Sequence, residues 1–76
     1  MKELIEMLAK TLVEDQESVH VEEKEAEGVV VYELRVSESD LGRVIGREGR
    51  IAKAIRTIIR SAAARKGLKA TVEIID

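Results

Sequence analysis

The sequence predicts an α+β fold with the order α-β-β-α-α-β: a mixed three-stranded sheet carrying three helices on one face. Three observations predict it. An apolar stripe at helical spacing opens the chain. A β-branched stretch of period two occupies residues 29–36. Beyond it, two helical patterns flank a Gly-x-x-Gly, and a short alternating stretch follows them. At 76 residues the chain has the length of one small domain, taken as 1–76.

The first helix is expected over residues 1–14. Met1, Leu4, Ile5, Leu8 and Leu12 share one face, and Lys2, Glu3, Glu6 and Lys10 fall away from it. That polar face is not basic, which disfavours a membrane-surface helix. A polar break follows at Asp15–Ser18. Val19 and Val21 then alternate with His20 and Glu22, a half-buried strand that fades into the acids up to Glu27. Gly28 marks a turn, and Val29–Val36 is the strongest strand. Val30, Tyr32, Leu34 and Val36 share one face; Val29, Val31, Glu33 and Arg35 share the other. The two strands form an antiparallel hairpin.

Ser37 starts the next helix, with Asp40 three residues on in the manner of a capping box. A short helix carries Leu41, Val44 and Ile45 into the Gly46–Gly49 loop. The long helix is expected from about Arg50 to Lys66, with Ile51, Ile55, Ile58, Ile59 and Ala62 as its buried stripe. Gly67 suits the position just past its end, and Leu68 the capping contact. Ala70–Ile74 alternates and supplies the third strand. A crossover through the helix pair returns parallel and right-handed, so the second strand is central.

The net charge of −2 conceals a segregation. Residues 1–40 hold 12 acids and 4 bases; residues 41–76 hold 9 bases and 3 acids. From Leu41 to Lys69 the only acid is Glu48. A basic half of this kind suits a polyanion partner, and it also suits pairing within the chain against the acidic half. The lack of Cys excludes a disulfide framework and a Cys-based zinc site. With no long apolar run and no signal-peptide pattern, a cytoplasmic setting is the expectation.

Enzyme chemistry finds no support. His20 is the only histidine and lies among acids in a predicted strand. The serines have no His or Lys constellation, and Val44 stands where a dinucleotide-binding glycine would be needed. No cofactor or metal is implied. Tyr32 is the only aromatic and its phase is inward, which disfavours recognition by base stacking.

The stretch that orders the chain is Val44-Ile45-Gly46-Arg47-Glu48-Gly49-Arg50-Ile51. Two glycines permit a sharp turn and a close backbone approach. The loop lies at a helix N-terminus, where the dipole favours an anion, and Arg47 and Arg50 add full charges there. Along the following helix, Lys53, Arg56 and Arg60 fall in one sector opposite the Ile stripe.

The same stretch resembles the signature of the KH domain, an apolar-Ile-Gly-x-x-Gly-x-x-Ile pattern, with one fewer spacer before the last apolar residue. The element order resembles the type II KH fold over the whole chain. Residues 39–56, SDLGRVIGREGRIAKAIR, resemble the bacterial KhpA family of stand-alone small KH proteins. The resemblance implies binding of single-stranded RNA, a cytoplasmic homodimer, and partnership with a larger KH protein of the Jag/KhpB family. It also implies roles as an RNA chaperone or post-transcriptional regulator in cell elongation and division. Carried to this chain, Gly46 and Gly49 shape the loop, and Arg47 and Glu48 present it to phosphates. Leu41, Val44 and Ile45 wall an apolar groove, flanked by Arg43, Arg50 and Lys53. Glu48 departs from the basic or small residues commoner in such loops.

Two other readings use the same residues. A DNA-binding helix-turn-helix would use Gly46–Gly49 as its turn, although that motif sits in helical bundles without flanking strands. A protein-interaction module with little nucleic-acid binding would accommodate Glu48.

Overall fold

The computed structural model describes residues 1–75, apart from the side chains of residues 47 and 48. The elements run α1 (Lys2–Leu12), a 3-10 turn (Gln16–Ser18), β1 (His20–Ala26), β2 (Val29–Arg35), α2 (Glu38–Arg65) and β3 (Ala70–Ile75). β2 is the central strand, antiparallel to β1 and parallel to β3. The fold is the expected α+β arrangement with a mixed sheet.

The hairpin closes through Glu27 and Gly28, which take φ of 52° and 80°. Both loop residues are left-handed, as a two-residue type I′ turn requires, and the turn aligns Ala26 with Val29. That register sends Val21, Tyr32 and Leu34 to the helix-covered face. Val72 joins them from β3, opposite Tyr32. Ile5 and Ala9 of α1 and Ala52, Ile55 and Ile59 of α2 complete one core cluster with these strand residues.

Two helical stripes are shifted from their expected phase. In α1, Ile5 and Ala9 are buried while Leu12 is 38 % exposed. The helix ends there, and the chain turns so that Val13 enters the core instead. In α2 the buried line is Ala52, Ile55, Ile59 and Ala63, whereas Ile58 is 43 % exposed. Two alanines let the helix settle close to the sheet, which rotates Ile58 onto the flank.

Residues expected as a short helix, a loop and a long helix fall within the single hydrogen-bonded span of α2. The break is concentrated at one residue. Gly49 takes φ of +67°, a conformation that no right-handed helix passes through unbent. A straight helix of 28 residues would run about 42 Å, longer than the molecule's largest dimension of 34 Å. Gly49 therefore divides α2 into two arms, 38–48 and 50–65, and the order of arms and strands is α-β-β-α-α-β. At the far end Gly67, at φ +71°, terminates the second arm. The N–H groups of Gly67 and Leu68 donate to Ala64 and Ala63, the paired bonds of a Schellman cap.

The α2 start departs from a reciprocal capping box. Ser37 Oγ accepts from the Asp40 N–H at 3.2 Å, as expected. The Asp40 carboxylate does not return to the Ser37 backbone. It accepts the Ser37 hydroxyl at 2.8 Å and the N–H groups of Glu14 and Asp15. These four groups tie the end of α1 to the start of α2, and Asp40 is the buried charged residue among those described.

Candidate nucleic-acid interface

Around the Gly49 break the two arms of α2 enclose a cleft of about 520 Å³, lined by Gly42, Arg43, Gly46, Arg50 and Ile51. Gly42 and Gly46 stand one helical turn apart, so a bare stretch of backbone forms one wall. Neither has a positive φ, and a Cβ built at either meets nothing within 4 Å. The fold itself makes no steric demand for glycine at these positions. Their absent side chains leave room for an external group instead. Gly49 is different, because its left-handed backbone requires glycine.

Of the residues expected at the site, Arg43, Gly46 and Arg50 meet in this cleft. Lys53 is exposed on the second arm. The apolar wall is distributed otherwise than expected. Val44 is only 2 % exposed and belongs to the core beneath the cleft. Leu41 is half-buried against that core. Ile45 is 50 % exposed and is not among the residues that line the cleft. Arg47 and Glu48 lie at the turn, and their side chains fall outside the described residues. Gly42 and Ile51 are lining residues that the sequence reading did not assign; the i, i+4 spacing of Gly42 to Gly46 was the signal available for the first.

The electrostatics follow the charge segregation. Arg43 Nη2 donates to Glu14 Oε1 at 2.8 Å, an exposed pair at the cleft's edge. Neither Arg50 nor Lys53 has an ion-pair partner among the described residues. Farther along the arm, Arg56 Nε donates to the Val72 carbonyl of β3 at 3.0 Å. On the opposite, acidic half the exposed Lys24 pairs with the half-buried Glu33 across the open face of the sheet at 3.1 Å. Among the described residues no group of His or acidic side chains could hold a metal ion. No helix among them is long and apolar enough to cross a membrane.

A Gly-x-x-Gly turn between two helical arms, laid on a mixed sheet with parallel β2 and β3, is the arrangement of a KH domain. The family model described as "KhpA/KhpB, KH domain" matches residues 2–74, and the chain belongs to that family. Relatives match it from end to end. "RNA-binding protein KhpA" of Clostridium perfringens (strain 13 / Type A) is 53 % identical over 75 residues, 99 % of this chain and 100 % of the relative. The protein of that name from Aquifex aeolicus (strain VF5) is 43 % identical over 76 residues, covering 100 % of this chain and 96 % of the relative. That of Chlamydia trachomatis serovar D is 42 % identical over 76 residues, covering 100 % and 97 %. No solved structure matches the chain.

Proposed function

We propose that this chain is a cytoplasmic, non-enzymatic protein that binds single-stranded RNA with the Gly46–Gly49 turn. The observation that carries the reading is the cleft at the turn, which combines bare backbone at Gly42 and Gly46 with the guanidinium groups of Arg43 and Arg50. Its volume suits a nucleotide-sized group. At Gly49 the helical sense is interrupted, and the second arm begins with the positive end of its dipole beside Arg50. Phosphates are held there by charge and by close backbone approach. The bases lie on the neighbouring half-buried apolar residues, Ile51 and Leu41, without aromatic stacking. Family membership, and the names of relatives matched from end to end, support the same reading.

The proposal extends to assembly as a homodimer, with a larger KH protein of the same family as a further partner. One cleft holding about four nucleotides binds weakly, and two linked clefts raise affinity through effective concentration. Ile58 supports this part, because it is an exposed apolar residue in a shallow cleft shared with Thr57, Ser61 and Ala62.

The test is the double substitution Arg47→Asp with Glu48→Asp. It replaces one positive charge by a negative one and sets two short carboxylates where phosphates should lie. Unfavourable like-charge contacts at an interface cost several kcal/mol, comparable to the roughly 8 kcal/mol of a micromolar complex. Fluorescence anisotropy with labelled RNA is expected to show loss of binding, with an unchanged melting curve by circular dichroism. Undiminished binding by the folded double variant would overturn the reading.

A further inference from the structure

Among the described residues β3 pairs only with β2, and no strand lies on its other edge. The Val30 N–H donates to the Lys69 carbonyl at 2.9 Å, which sets the phase of the strand. In a parallel ladder the peptide groups of alternate residues face the partner. Residues 69, 71 and 73 therefore face β2, and the N–H and C=O groups of Ala70, Val72 and Ile74 face outward.

At Val72 that outward carbonyl is already occupied by Arg56 Nε at 3.0 Å. Arg56 is half-buried. No carboxylate lies within ion-pair distance of it among the described residues. Lys53 and Arg60, three and four residues away, share its side of the helix. A row of bases thus runs along the free strand edge, leading away from the Gly49 turn. With Nε engaged, the planar guanidinium still has its terminal N–H groups to donate.

We propose that Arg56 sets the base preference of the bound RNA by engaging the outward carbonyl of Val72 with a cationic fork, so that this point of the edge presents mainly donors. The inference rests on the RNA-binding reading above. A base that docks at this point meets the Val72 N–H and the Arg56 fork, beside a carbonyl that already accepts from Arg56 Nε. Guanine offers two acceptors, N7 and O6, to such a surface. Adenine offers one acceptor beside an amino group that needs an acceptor in return. The edge therefore selects guanine over adenine at the position nearest Val72. The contact also blunts a free strand edge against pairing with another chain, and the two roles are separated by the readout below.

The experiment measures binding of four labelled RNA heptamers, uridine throughout except for a central A, G, C or U. The wild-type protein is expected to bind the central-G heptamer about tenfold more tightly than the central-A one, the scale of one good bidentate contact. Arg56→Met weakens binding to all four and brings the G-to-A ratio close to one, because the Val72 carbonyl is free to accept an adenine amino group. Arg56→Lys keeps the charge but lacks the planar fork, and it also loses the ratio. Lys53→Met weakens all four alike and keeps the ratio. Melting curves establish that each variant is folded, and Arg56→Lys alone suffices should Arg56→Met unfold. A wild-type ratio near one, or a ratio retained in folded Arg56 variants, overturns the proposal. Absence of binding to all four heptamers by the wild type overturns the RNA-binding reading itself, and this proposal with it.

Discussion

The carboxylate of Asp40, in the first turn of α2, accepts the backbone N–H of Asp15, the residue two places beyond the buried Val13, at 3.0 Å. The N–H of Glu14 binds the other carboxylate oxygen at 3.1 Å. Asp40 lies 25 positions along the chain from Asp15, so the contact closes a loop around the whole hairpin. The bonds from Asp15 and Glu14, with smaller help from the Ser37 hydroxyl and Arg43, hold the Asp40 carboxyl below its usual range. Between the lowered folded value and the unfolded value of about 3.9, the unfolded chain binds more protons, so stability rises with pH across that window. The contribution is complete above the unfolded value and is lost as pH falls through the folded one. Denaturant titrations at neutral and acid pH should show Asp40→Asn less stable than wild type at pH 7. Its acid loss should also be shallower. Equal pH dependence in the two proteins would count against this role.

The α2 glycines should respond in opposite directions. Gly49→Ala forces a Cβ into a left-handed backbone, at a cost of about 1–2 kcal/mol. Gly42→Ala sits in helical backbone with open space around it, and it should stabilise by up to about 1 kcal/mol. On a chain of this size each kcal/mol moves Tm by about 4–8 °C, which calorimetry resolves. Gly42→Ala should at the same time weaken RNA binding, since its methyl group enters the cleft.

Ile58 and Ile59 are adjacent in sequence and opposite in consequence. Ile59 is fully buried, and Ile59→Ala should cost about 2–5 kcal/mol. Ile58→Ala should cost under about 1 kcal/mol in the monomer, because the residue is 43 % exposed. Ile58→Asp should leave the fold intact and shift sedimentation toward monomer at tens of micromolar (about the range of a weak dimer). A dimer unchanged by that charge would place the interface elsewhere.

Glu14 pairs with Arg43, a base of the proposed RNA site. Glu14→Gln releases Arg43 and removes a negative charge from the cleft's edge. An exposed pair of this kind contributes at most about 1 kcal/mol to folding, so melting should barely change. RNA affinity should rise a few-fold at low salt, and weaker binding would mean that Glu14 positions Arg43 rather than competing for it.

Binding should depend strongly on ionic strength. Neutralising about three phosphates predicts a slope near −2 in log K against log salt, at about 0.7 per phosphate on a single strand. The motivation is the run of nine bases with one acid from Leu41 to Lys69. A slope near zero with binding intact would contradict the basic-face account.

The elements and their order were legible because each is encoded locally. Period two in β2, the turn at Gly28, the Ser37 cap and the Gly67 stop act within a few residues of themselves. So does the Gly46–Gly49 pair, and with it the place of the proposed site. The local pattern did not reveal the rotation of α2 that buries Ala52 and Ala63 and exposes Ile58. Rotation is set by how closely a helix approaches its sheet, and small residues enter that decision only through packing. Val44 shows the same limit: an apolar residue beside a loop can wall a groove or support it, and spacing alone does not distinguish the two. Asp40 joining Asp15, and Arg56 reaching Val72, required strands and helices to be assembled first. Polar contacts between distant residues carry no periodicity to read. Sequence by itself determined the parts, their order and the basic turn. Tertiary structure decided which faces are buried, which side of the turn is open, and which backbone groups remain for a ligand.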